Sequence, residues 1–147
     1  MTAEVQWKPY VWDEPRPAPP DELDLLEKQW SVRLPEEYKK LVLTHQGMTP
    51  TPGIFNVGKI EDAMSVLLTI ITDPKHKSYA ISDSYSILKL HIPAKIYPFA
   101  MTPGCGHLCF DYRSSMDQPK IVLVTEEMYV YPVADSFTAF MNSLHDG

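Results

Sequence analysis

Cys105, His107 and Cys109 stand at alternating positions. On a strand, such spacing puts all three side chains on one face. Three soft ligands on one face raise the question of zinc. Geometry answers against it. Side chains two apart on a straight strand are separated by about 7 Å, too far to share one ion at bonds near 2 Å. No second CxxC or HxH completes a set. Cys109 as a nucleophile with His107 as its base lacks a third, orienting group, and a buried structural cysteine is the commoner case. Asp111 and Arg113, also two apart, can pair along a strand face. Glu126 and Glu127 are adjacent carboxylates beyond a strand end, the residue type of acid–base pairs. Without converging partners they read as a solvated edge. The five histidines, at 45, 76, 91, 107 and 145, form no HExxH. GxGxxG, GxxxxGK[ST] and GxSxG are absent. The expectation is a chain that is not an enzyme and uses no metal and no cofactor.

Composition narrows the partner. The chain has 147 residues, so one domain is expected. Asp and Glu number 19 against 13 Lys and Arg, a net charge of −6. Nucleic-acid backbones and anionic membranes demand a positive surface. Neither is expected as a direct partner; a basic protein is. The 2 cysteines do not make a secreted disulfide scaffold. No apolar run approaches the roughly 18 residues of a membrane span. The N-terminus shows no charged-then-apolar leader pattern, so the expected location is cytoplasmic.

The elements that position these residues follow from pattern. Ile96 to Ala100 and His107 to Arg113 read as two strands around a turn at Thr102-Pro103-Gly104 and Gly106. Leu108, Phe110 and Tyr112 share the inner face of the second strand. Residues 1–20 form an arm: Trp7, Tyr10 and Trp12 lie on the domain or, alternatively, offer a partner an aromatic patch, and a Pro-rich connector follows. The domain proper spans 21–147. Asp21 caps a first helix with Leu23, Leu26 and Trp30 on one face. Pro35 opens a second with Tyr38, Leu41 and Val42 buried, ended by Gly47. Residues 48–53 read as loop, 53–57 as a strand and 58–62 as a turn. Residues 64–72 read as a buried central strand, although a helix from Ile60 fits the period as well. Residues 79–90 read as a helix, 121–124 as a strand, and 128–131 as a further pairing segment ended by Pro132. Asp135 or Ser136 caps a last helix carrying Phe137, Phe140, Met141 and Leu144. The order gives an α+β fold, a mainly antiparallel central sheet flanked by N-terminal, inserted and C-terminal helices.

Several segments resemble the SUKH superfamily over roughly residues 21–145. They are Leu34 to Leu41 with Gly47, then Ile92-Pro93, then Tyr97 to Ala100 with Gly104. Cys109 to Arg113, Pro119 to Val122 and Val133 to Phe140 complete the series. Relatives often carry Gly-Asn after the turn proline, where this chain has Gly104-Cys105-Gly106. The resemblance implies an α+β fold without catalytic residues. It implies an immunity protein that binds and neutralises a polymorphic toxin, often a nuclease domain, in bacterial contact-dependent competition. It also implies an alternative, a regulatory or scaffold module that binds a host protein. Exposure and charge select Asp111, Arg113, Asp117, Glu126 and Glu127 as partner-binding residues. The expected state is a monomer or weak dimer.

Overall fold

The computed structural model describes residues 5–146. Its centre is a five-stranded antiparallel sheet in the order β5-β6-β7-β8-β9. The strands are β5 (Val66–Leu67), β6 (Ile96–Met101), β7 (His107–Asp111), β8 (Lys120–Val124) and β9 (Val130–Ala134). Two ribbons flank it: β1 (Gln6–Pro9) with β2 (Met48–Thr51), and β3 (Ile54–Val57) with β4 (Ile60–Ala63). The helices are α1 (Pro20–Trp30), α2 (Glu36–His45), α3 (Ile81–Leu88) and α4 (Phe137–Asn142), with a 3-10 turn at Pro74–Tyr79. The α+β architecture with an antiparallel sheet is as the sequence implies.

Alternation along β7 and β8 builds the core. Leu108, Phe110, Ile121 and Leu123 face inward and meet Leu23 and Trp30 of α1, Tyr38 and Val42 of α2, and Phe137 and Phe140 of α4. Phe99 and Phe110 stack with ring centroids 4.5 Å apart. Tyr38 stands edge-on to Phe110 at 4.9 Å and to Phe137 at 5.7 Å. These offset and edge contacts suit the ring quadrupoles. The outer face is not simply solvated. Leu88 of α3 and Ile92 close over Ile96, Cys109, Val122 and Val124 in a second, smaller core. The α3 helix straddles the sheet margin, since its Ile81 and Tyr85 belong to the main core.

Several elements differ from the sequence reading. Residues 48–51 are a strand, because β1 pairs with them through Pro9↔Met48 to Gln6↔Thr51. The supposed turn at 58–62 holds β4, with only Gly58 and Lys59 between the strands. Gly58 takes φ +60, which glycine reaches without a Cβ penalty. The run at 64–72 is buried at Met64 and from Val66 to Thr69 and reaches the surface by Thr72, and its only strand is the short edge strand β5 rather than a central one. Its backbone leaves the ladder early. Leu68 N–H still donates to Phe99 O of β6, but Thr69 N–H donates to Tyr79 O and Ile70 N–H to Gln46 Oε1. Pro132 lies inside β9, not at its end. β9 is the outermost strand of the sheet, where a missing N–H is tolerated. Pro19 and Pro20 displace Asp21 from the cap into the first turn of α1, and Pro35 precedes α2 rather than opening it. Ser136 does cap α4, accepting from Ala139 N–H at 3.0 Å.

Candidate partner-binding surface

The β6–β7 turn is tight for two separate reasons. Cys105 occupies the left-handed region at φ 65, where Gly or Asn is the usual occupant. Gly106 is required by space instead. A Cβ there would sit 2.9 Å from Thr102 Oγ1 and 3.1 Å from Val124 O. Gly106 N–H donates to Thr102 Oγ1 at 3.0 Å, which closes the turn. Cys105 is exposed and Cys109 fully buried, so the two thiols are not on one accessible face. Burial holds the Cys109 thiol well above its ordinary pKa.

The β8–β9 turn presents the glutamates. Met128 N–H donates to Thr125 O, and Thr125 N–H to Tyr129 O, both at 2.9 Å. Tyr129 N–H donates to Thr125 Oγ1 at 3.1 Å. These bonds fix the four-residue reversal and turn Glu126 and Glu127 to solvent. Beyond it, Tyr129 and Tyr131 are 63% and 46% exposed. Tyr131 lies on the edge strand β9, and Tyr129 one residue before its start. Sequence reasoning did not select them. Their signal was there: two tyrosines at period 2, just after two acids and leading into the last strand.

The five selected residues fall in three places. Asp111 and Arg113 pair with each other: Arg113 Nε and Nη2 donate to the two carboxylate oxygens at 2.9 Å each. The pair lines a groove of about 700 Å³ with Lys120, Val122, Pro132 and Asp135. Asp111 lies below the usual carboxylate range, since the Arg113 hydrogen bonds and charge outweigh the opposing effect of burial. Being mutually neutralised, the pair is a poor anchor for an incoming charge. Asp117 lies in the β7–β8 loop. It borders a second groove with Asp24, Glu27 and Lys28 of α1 and Arg33 and Lys39. Glu126 borders a third, mostly apolar cavity of about 250 Å³ with Ile87, Met101, Cys105, His107 and Met128.

His107 supplies a pH test. Burial pushes its pKa down to about 4. A histidine that titrates lower when folded leaves the unfolded chain holding more protons between the two pKa values. Its contribution is therefore complete above an unfolded pKa of about 6.5 and is lost as pH falls toward 4. The full loss is on the order of 3 kcal/mol. Urea midpoints of the protein and of its His107→Gln variant are expected to converge between pH 6.5 and 4. Parallel pH curves would remove His107 as the cause.

The α+β domain thus leaves an outermost strand, β9, and a hydrogen-bonded acidic turn open to solvent. The chain belongs to the SMI1 / KNR4 family (SUKH-1), whose model matches residues 17–143. No curated protein matches the chain. At family level it is a SUKH-type immunity or regulator module. The matched span holds the whole central sheet and all four α-helices. No helix among the described residues is long and apolar enough to cross a membrane.

Proposed function

We propose that this protein is a non-enzymatic immunity protein of the bacterial cytoplasm that binds and neutralises a basic toxin domain, a nuclease by the charge it would need. The supporting observation is the β8–β9 rim. Two solvent-facing carboxylates, Glu126 and Glu127, sit on a hydrogen-bonded turn beside the exposed Tyr129 and Tyr131. Tyrosine is a preferred anchor residue in interfaces, and a fixed turn spares the ordering cost of binding. The net charge of −6 steers a cationic partner toward the protein. The acidic rim would then occlude a cleft built to hold phosphates. The working form is a monomer or weak dimer, needing neither nucleic acid nor membrane.

The test is co-expression with the toxin encoded next to the gene, followed by pull-down and cell survival. Survival with a stable complex supports the reading. Absence of both overturns it and favours the regulatory or scaffold role that the same family also contains. In the complex, Glu126→Lys with Glu127→Lys is expected to slow association by about tenfold at low salt and to flatten its salt dependence. Unchanged association kinetics would remove the rim from the interface.

A further inference from the structure

The cavity between α3 and the β8–β9 turn has a chemical character that the rim alone does not explain. Its walls are Ile87 and Leu88 of α3, Met101 at the end of β6, and Met128. Carboxylates stand at its border: Asp83 on α3 and Glu126 on the turn. Glu126 has no hydrogen-bond or ion-pair partner among the described residues. Asp83 has only a long contact, 3.9 Å from Lys77 Nζ, and that lysine side chain is 68% exposed. The one imidazole in the wall, His107, is uncharged at neutral pH because burial lowers its pKa to about 4. It sets no cation against an incoming one. At about 250 Å³ the cavity is smaller than the ~300–1,000 Å³ of usual small-molecule sites.

We infer that this cavity receives a single lysine or arginine side chain of the basic protein partner, its apolar stem along Ile87, Met101 and Met128 and its charge at Glu126 and Asp83. Long cationic side chains bury their methylenes on apolar surface while keeping the head at a polar rim. The cavity offers both halves of that match, and Ile87 and Leu90, 54% and 73% exposed, extend the apolar surface along the same helix region. The identity of the partner rests on the function proposed above; the preference of the cavity for a cation does not.

Cys105 lets that preference be measured without the partner. Its thiol is exposed and lines the same cavity, while Cys109 is buried and unreactive. The probes are three symmetric disulfides: cystamine, bis(2-hydroxyethyl) disulfide and dithiodiglycolate, each in buffer with its own thiol. The Cys105 thiolate attacks one probe sulfur, a mixed disulfide forms, and the probe's other half leaves as a thiolate that takes up a proton. Intact mass gives the occupancy, normalised to the same exchange on N-acetylcysteine amide. The cationic probe is expected to exceed the anionic one by about tenfold. Glu126→Gln is expected to reduce that ratio to within about threefold, whereas Glu37→Gln, on a helix that does not line the cavity, leaves it unchanged. Equal occupancy by the three probes would overturn the inference. So would a cation preference indifferent to Glu126, or one that Glu37→Gln lowers equally. Because the probes are small molecules, a failed pull-down and a failed exchange are separate results.

Discussion

Phe110→Ala is expected to destabilise the domain by about 3–5 kcal/mol, the range for a fully buried phenylalanine whose cavity cannot collapse. The ring is completely buried. It touches Phe99 face to face and Tyr38, Tyr112 and Phe137 at angles. These partners are held by two helices, α2 and α4, by β6 and by the residue that follows β7, so no one of them can move in to fill the hole. Against a total stability of about 5–15 kcal/mol, the loss is a large fraction. Its neighbour should behave in the opposite way. Tyr38 is also fully buried, yet its hydroxyl has no hydrogen-bond partner. Burial drives its pKa far above the ordinary tyrosine value, as expected of a hydroxyl surrounded by rings. An unbonded buried hydroxyl costs roughly 1–3 kcal/mol. Tyr38→Phe removes that cost and keeps the ring contacts. It should leave stability unchanged or raise it by about 1 kcal/mol. Urea unfolding of both variants checks the pair. A Tyr38→Phe variant less stable than the parent would show that the hydroxyl is bonded after all.

The residues of that core were legible in the sequence because each lies in or just beyond an element with a clean period. Leu108 and Phe110 alternate along β7 with Tyr112 just past its end, and Phe137 and Phe140 repeat along α4, which stops at Asn142, short of the buried Leu144. What escaped was structure with too little local pattern. Residues 6–9 and 48–51 read QWKP and MTPT, which alternate over only four residues and carry a proline each. They are strands because each supplies the other's ladder and because Trp7 stacks on His45 at 5.2 Å. The apolar run at 64–72 misled in the other direction. Its burial was visible, but its backbone partners belong to residues 46, 79, 99 and 101, which no window on the sequence can join. The candidate site shows the same division. That Asp117, Glu126 and Glu127 would be exposed followed from charge at strand ends. That Asp111 would be neutralised by Arg113 followed from spacing, yet it also removes the pair as an anchor. Their separation into three grooves depends on how the strands stack, and the cavity beside Glu126 depends on where α3 crosses the sheet.

Gln46 is the residue that sequence reasoning passed over and the fold depends on. It is a fully buried glutamine just past the end of α2. Its Nε2 donates to Arg16 O at 2.8 Å, and its Oε1 accepts from Ile70 N–H at 2.8 Å and Ile71 N–H at 3.3 Å. One side chain thus ties the N-terminal arm to the segment leaving β5. The arm has further anchors: Ala18 N–H to Leu43 O, Val11 N–H to Gly47 O, and Trp12 Nε1 to Asp73. Gln46→Leu fills similar space but strands at least one carbonyl and one amide, each at about 1–3 kcal/mol. The expected loss is about 2–4 kcal/mol. Amide exchange should quicken first at residues 11–18 and 69–72, ahead of the sheet. Gln46→Glu separates hydrogen bonding from packing. Its carboxylate can still accept from Ile70 but has no proton for Arg16 O, and burial favours its neutral form. A folded pKa raised above the unfolded one means stability gained as pH falls. Relative to the parent, this variant should therefore recover between pH 7 and pH 4, when the acid regains a donor. A Gln46→Glu deficit that stays constant across that range would mean the site is governed by volume rather than by its hydrogen bonds.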